Sequence, residues 1–320
     1  MRTLDQTSAL SDGAITPPKQ RDIINENPGI LKIDNFVFAR KMVEHGLIWG
    51  AGAALSLGVG GAFGVVFGSI LMGFVYARNL EIVHECIHNT ALSWKPLNSV
   101  FGVLMSIPMI TSFAGWRRSH LQHHMDVRHE GFEFELESIR GPFSLLRHFL
   151  MIDNILIMFR KMYVAVIGKT EENDIRDDEK LDLRIMAAVI VGVVAVSIIT
   201  PTTIFVSLWL LPLIPASIFN FHIQLPEHFE CERESRDAFK NSRSVEAEGI
   251  VAWAVNNNHL HVEHHWLPAA PIPNLPIIAR RVRPYIHYRA QSYASFYGQF
   301  YRQLFSPESP AGTGADARNA

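Results

Sequence analysis

Two long stretches of this chain carry no formal charge, and they set the reading of the rest. Residues 46 to 77 contain no Lys, Arg, Asp or Glu. As one helix this stretch would run about 48 Å at 1.5 Å per residue, against a hydrocarbon core of about 30 Å. Its centre, Gly58-Val59-Gly60-Gly61-Ala62-Phe63-Gly64, is turn-like. The pattern predicts two short spans, at 43–60 and 63–83, joined by a tight turn. A second run of 42 uncharged residues lies between Arg184 and Glu227, interrupted by Thr200-Pro201-Thr202-Thr203. Proline removes a backbone donor and disfavours helix at the residue before it. Two further spans are predicted there, at 184–200 and 203–224.

Between the spans the pattern changes. Residues 96–113 are apolar but short and contain Pro108, which suits a buried or interfacial helix better than a span. Residues 142–167 mix Leu, Ile, Met and Phe with Arg147, Arg160 and Lys161, the pattern of an amphipathic helix lying on a membrane. Glu171 to Lys180 reads as a charged surface loop. Residues 1–40 read as a polar, partly disordered segment, 41–290 as the membrane domain, and 291–320 as a tail with a disordered end. No internal repeat is visible.

Lys and Arg positions orient the spans. Lys32, Arg40 and Lys41 precede the first, the stretch from Arg78 to Arg184 is rich in both residues, and Arg280, Arg281 and Arg283 follow the last. The turns at 58–64 and 200–203 hold none. Both termini and all charged regions are therefore expected on the cytoplasmic side, in a bacterial inner membrane or an ER membrane.

Composition agrees. Charged residues are 19% of the chain, below the usual quarter of a soluble domain, while hydrophobic residues are 48%. The net charge of −2, with no basic run interleaved with aromatics, excludes a nucleic-acid binder. Two cysteines, Cys86 and Cys231, exclude a disulfide framework. No signal peptide is visible.

The chain has 15 histidines, and eight of them cluster. His84-Glu-Cys-Ile-His88 places two imidazoles at i and i+4 on one helical face. His120-Leu-Gln-His123-His124 and His261-Val-Glu-His264-His265 each place three at i, i+3 and i+4, read as three converging ligands. All eight lie on the expected cytoplasmic side. They are too many for one ion and fit two metals with about four protein ligands each. Oxygen chemistry on an unactivated C–H bond, beside apolar helices suited to lipid-like substrates, needs a redox metal, which zinc is not. His84-Glu85-x-x-His88 also matches a zinc-protease motif with Glu85 as base. A metal transporter would need polar groups along the spans. His45, His148 and His287 stand alone and read as surface or interfacial; His129 and His259 lie beside clusters as ordinary polar residues or outer partners.

With these motifs the sequence resembles the integral-membrane fatty acid desaturase family, which includes hydroxylases and ketolases. His84–His88 fits its first histidine box. Trp116-Arg-Arg-Ser-His120-Leu-Gln-His123-His124 fits the second, and His261-Val-Glu-His264-His265-Trp-Leu-Pro268-Ala-Ala-Pro271-Ile-Pro-Asn274-Leu-Pro276 the third. The resemblance covers roughly residues 40–290. It implies an all-α membrane protein with four transmembrane helices in two hairpins and a cytoplasmic helical cap holding a histidine-rich di-iron site. It implies two iron ions, dioxygen as co-substrate, no organic cofactor, an acyl substrate, and a separate electron donor, a ferredoxin or a small haem cytochrome with its reductase. It also implies a further histidine ligand between the fourth span and the third box. Glu227-His228-Phe229-Glu230 supplies His228, with His222 as runner-up and Gln224 and Asn257 as possible outer partners. The chain departs from the family pattern at Asn256-Asn257-Asn258 before the third box and at Glu130-Gly-Phe-Glu133-Phe-Glu135 after the second. The implied reaction is double-bond formation in an acyl chain; hydroxylation or ketolation of a lipid-like substrate stands as the alternative.

Overall fold

The structure is a computed structural model and describes residues 16–59, 61–127, 139, 141–168, 175–199, 204–232 and 234–305. The expected disordered end at 306–320, the 200–203 turn, His129 and the Glu130–Glu135 segment lie outside the described residues.

Among the described residues, four helices are long and apolar enough to cross a membrane: Asn35–Val59, Gly61–Ile87, Asp177–Ile199 and Val206–Glu227. The first opens at Asp34, whose carboxylate accepts the Phe36 N–H at 2.9 Å. It is α-helical over Asn35–Ala54 (α2, after the short α1 at Gln20–Glu26) and widens to a π-turn over Leu55–Val59. The chain reverses at Gly61, which adopts φ +64°, and α3 (Gly61–Ile87) packs back along α2. Glycine sets that approach: a Cβ on Gly52 would lie 2.8 Å from the Gly68 carbonyl oxygen. A Cβ on Gly73 would lie 2.7 Å from the Pro212 oxygen, which brings the fourth long helix onto α3. Outward faces are apolar, as at Leu47, Ile198 and Ile199, which are 70%, 77% and 79% exposed. Such faces suit lipid.

The long helices run past the spans expected at 43–60, 63–83, 184–200 and 203–224 into charged sequence, and the added charges that face inward, Lys41, Glu85 and Glu179, are buried and paired. Lys41 meets Glu85 at 2.5 Å. Arg78 Nη1 donates to the Trp253 carbonyl at 2.8 Å and its guanidinium lies 4.3 Å from the Trp253 ring. His45, expected as a surface or interfacial residue, is buried and meets Asn79 Oδ1 through Nδ1 at 2.9 Å. Asp177–Lys180, read as the end of a surface loop, forms the first turn of the third long helix, with Glu179 buried against Arg118 and Lys161.

Between the second and third long helices come α4 (Lys95–Ser106), a short 3-10 turn and α5 (Phe113–Met125), bent 102° from one another. Then follow α6 (Pro142–Phe149) and α7 (Ile152–Ile167), where one amphipathic helix was predicted; the break falls at Met151, φ +52°. Asp177–Ile199 (α8) packs on α7, and the fourth long helix runs as a π-turn into α9 (Leu211–Gln224). The C-terminal part holds the short helices α10 (Ala238–Asn241), α11 (Gly249–Ala254), α12 (His261–Trp266) and α13 (Leu275–Val282), then α14 (Tyr293–Leu304). Arg243–Val245 (β1) and Tyr288–Ala290 (β2) form a two-stranded parallel sheet, a small exception to the all-helical expectation. The N-terminal segment is tied down: Ile23 and Ile30 are buried with Val262, Leu275 and Ile278, beneath the third histidine box.

Candidate metal centre

α3 ends where the first box begins its work. The His88 N–H still bonds the His84 carbonyl at 3.3 Å, and Asn89 then leaves the helix with φ +56°. α5 carries the second box. Ser112 caps its first turn by accepting the Gly115 N–H at 3.1 Å, and Asp182 accepts the Ala114 N–H at 2.6 Å. α12 carries the third box, seated on β1 through Ser244 Oγ, which accepts the Val262 N–H at 3.1 Å and donates to Glu263 at 2.6 Å. His228 follows the last turn of the fourth long helix.

These imidazoles form two groups. His84, His88, His120, His124 and His264 converge in one; His123, His228, His261 and His265 converge in the other, with one nitrogen of each residue within 4.8 Å of those of its group. In the first, Nε2 of His120 lies 2.8 Å from that of His84 and 3.0 Å from those of His88 and His124. In the second, Nε2 of His228 lies 2.9 Å from those of His123 and His261.

The split corrects the reading of each three-histidine box as a single converging set. At about 100° per residue, i+4 sits roughly 40° past i, while i+3 falls about 60° short on the other side. The i,i+4 pairs His84/His88 and His120/His124 therefore enter one group and His261/His265 the other. The i+3 residues cross over: His123 joins the second group and His264 the first.

Burial pushes the imidazoles of His120, His124, His261, His264 and His265 well below the usual histidine range, and that of His88 down to about 4. The neighbouring imidazoles add to the effect within the clusters. Neutral rings whose nitrogens crowd at about 3 Å present lone pairs to one another. A divalent cation in their midst satisfies them and imidazolium formation does not, so the donor set fits one metal ion per group.

Around the rings lies a second tier that sequence reasoning missed. His228 donates from Nδ1 to the Asn241 carbonyl at 2.8 Å, which fixes its tautomer and leaves Nε2 for the site. Glu227 Oε1 faces His261 Nδ1 at 3.6 Å and accepts from Asn258 at 2.5 Å. Glu85, the protease-type base candidate, is buried and taken by Lys41 and by Asn256 Nδ2 at 2.7 Å. The three-asparagine departure thus has a physical account. Asn256 and Asn257 adopt φ +53° and +58°, a region asparagine tolerates. Their turn delivers Asn256 to Glu85 and Asn258 to Glu227.

Three candidate residues sit elsewhere. His222 uses both nitrogens away from the clusters, Nδ1 with the Ile218 carbonyl at 2.6 Å and Nε2 with the Tyr301 hydroxyl at 2.8 Å. Gln224 accepts from Asn220 at 3.1 Å. Asn257 serves the turn, its N–H bonding the Ala252 carbonyl at 2.8 Å. His259 is buried beside the third box but belongs to neither group, and His287 is exposed as expected.

A family model for fatty acid desaturases matches residues 61–297. The chain belongs to the fatty acid desaturase family. None of the curated proteins compared with it gives a significant match. The matched region contains all nine clustered histidines of this desaturase-family chain, and it begins at the turn into α3.

Proposed function

We propose that the protein is a dioxygen-dependent membrane desaturase that introduces a double bond into an acyl chain. The observation that carries this reading is the division of nine clustered imidazoles, six of them buried and three partly buried, into groups of five and four beside the ends of apolar helices. The histidine-only donor set fits two iron ions held by His84, His88, His120, His124 and His264, and by His123, His228, His261 and His265. When bound, iron would supply the one-electron and dioxygen chemistry that a C–H bond of this kind requires.

The balance is simple. A –CH2–CH2– unit loses two hydrogens, one dioxygen becomes two waters, and two electrons and two protons arrive from outside. A separate carrier, a ferredoxin or a small haem cytochrome with its reductase, delivers those electrons. The chain's own residues hold the geometry: the Asn241 carbonyl orients His228, Glu227 faces His261, and Lys41 and Asn256 fix Glu85 next to His84. The four long helices form two hairpins, with both termini and all three boxes in a cytoplasmic cap. The Lys and Arg distribution supports that orientation.

The test is expression with an electron donor, followed by mass spectrometry of lipids and thioesters. Products lighter by two hydrogens are expected. Products heavier by one oxygen would replace this reading with the hydroxylase, and one zinc with no iron in the purified protein would overturn it.

A further inference from the structure

The fourth long helix ends in a 3-10 turn at Leu225–Glu227, and His228 follows with φ −130° and ψ −4°, outside the helix. Glu230, at φ +57°, then reverses the chain. The other three imidazoles of the second group ride on α5 and α12. No helix fixes His228, so the turn that carries it has to be held from elsewhere.

Arg243, on β1, holds that turn. Its Nη1 donates to the Pro226 carbonyl at 2.9 Å and to the Phe229 carbonyl at 2.7 Å, one on each side of Glu227-His228. Carbonyls at a helix C-terminus lack partners within the helix and lie at the negative end of its dipole, where a cation is favoured. Arg243 is 1% exposed, and its guanidinium carbon lies 5.1 Å from the Phe296 ring centre and 5.7 Å from that of Tyr288. Among the described residues no carboxylate pairs with it, and its Nε and Nη2 find no acceptor. A buried cation without a counter-ion is costly, and an apolar side chain of similar volume would fill the same space at less cost. Only the grip on the two carbonyls would be lost with it.

The strand around Arg243 divides the work. The Asn241 carbonyl takes His228 Nδ1. Side chains alternate along a strand, so Arg243 faces the His228 turn while Ser244 faces α12, where it bonds the Val262 N–H and Glu263. α12 carries His264 of the first group as well as His261 and His265 of the second, so Ser244 bears on both groups. The hydrogen bonds of the Arg243 side chain go to the His228 turn alone, and His228 belongs to the second group.

We infer that Arg243 is a positioning residue of the second metal group: it clamps the turn of His228 against β1, and its loss frees one ion while sparing the other. The inference rests on the two-metal reading above, and its test separates the two.

The full chain is loaded with iron, and the release of each ion to a chelator is timed. Two phases are expected from the unaltered protein, and the phase missing from His228→Ala belongs to the second group. Partners that orient metal ligands are worth about 10–100-fold in metal affinity. Arg243→Met should therefore speed the second-group phase about tenfold and leave the other phase within about twofold. Arg243→Lys keeps a cation able to reach both carbonyls and should speed it no more than about threefold. If the methionine variant does not fold, Arg243→Gln, with a donor for one carbonyl, carries the test and should fall between the two. Faster release of both ions by similar factors would mean that Arg243 serves the fold in general, and overturns the inference. So does unchanged release, or equal acceleration by methionine and lysine. In each of these cases two ions in the unaltered protein leave the two-metal reading standing; a single ion there removes that reading, and the inference with it.

Discussion

His123 and His228 are 105 residues apart in the chain, and their Nε2 atoms lie 2.9 Å apart in the fold. The contact ties the second box to a residue with no box of its own, at the end of the fourth long helix. His228 is buried and locked by Asn241, whereas His222, six residues earlier, spends both nitrogens on Ile218 and Tyr301. Replacing His228 with Ala should therefore reduce bound iron from about two to about one per chain and abolish turnover. His222→Ala should keep both ions. Metal analysis of the two purified variants checks this, and equal iron in both would remove His228 from the site.

The same logic separates the two groups. His88→Ala removes one of five imidazoles from the first group, and His123→Ala removes one of four from the second. Each should lower iron by about one equivalent. The smaller group has less redundancy, so His123→Ala should lose its ion more completely at a given chelator concentration. Titration with a chelator, followed by iron content, reads the order.

Glu179 is 1% exposed and accepts from Arg118 and, at 2.9 Å, from Lys161. It joins α8 and α7 to the helix that carries His120, His123 and His124. A Cβ on Gly115 would lie 2.8 Å from its Oε1, so the carboxylate is wedged against α5. Arg118 and Lys161 are 29% and 37% exposed and can turn to water once the carboxylate is gone, so the loss falls below the about 3–5 kcal/mol of a wholly buried pair. Glu179→Ala should lower the unfolding temperature in detergent by several degrees and loosen both metals together. An unchanged melting temperature would make this network dispensable.

The eight box histidines were legible because the spacing of metal ligands on a helix is a local property, written into i, i+3 and i+4. Their division between two groups was equally implicit in helical geometry, yet it needed three helices in register to become visible. His228 came into view through family resemblance, because a lone histidine has no local signature. Glu227 and Asn258 stood in segments the sequence had singled out, but their contacts with His261 and with each other span 34 and 31 residues, and nothing in the neighbourhood of Asn241 announces its carbonyl as the partner of His228. Span ends were misplaced for a related reason. Charge was read as exposure, but Lys41 and Glu179 pair inside the fold. The N-terminal segment looked polar because its docking combines few apolar residues, chiefly Ile23 and Ile30, with polar contacts such as Arg281–Glu26 and Asn274 to the Ile30 carbonyl.

Orientation has its own test. Gly61, at φ +64°, separates two helices that each have the length and hydropathy of a span. A reporter inserted at Gly61 should appear on the opposite side of the membrane from one fused after Leu304, and the latter should be cytoplasmic. Finding both on one side would break the two-hairpin arrangement proposed above.

The acid side of the stability profile depends partly on His148. This residue reads from the sequence as surface or interfacial; it is half-buried, lines a cavity with Ser144 and Asn220 and lies 5.3 Å from the Phe221 ring. Burial pushes its imidazole from 6.5 down to about 4, a shift that nearby Asp153 partly opposes. The sign follows from proton counting. Above pH 6.5 neither the folded nor the unfolded chain carries this proton, and the residue is neutral with respect to pH. Between 6.5 and about 4 the unfolded chain binds it and the folded chain does not, so stability falls as pH falls. The slope approaches 1.4 kcal/mol per pH unit for one proton. His148→Gln removes this proton from both states. Compared with the unaltered protein at equal metal loading, the variant should show a flatter decline of unfolding free energy between pH 6.5 and 4, and no difference in slope above 7. Parallel curves through that window would mean that His148 titrates normally in the fold, with its ring open to water.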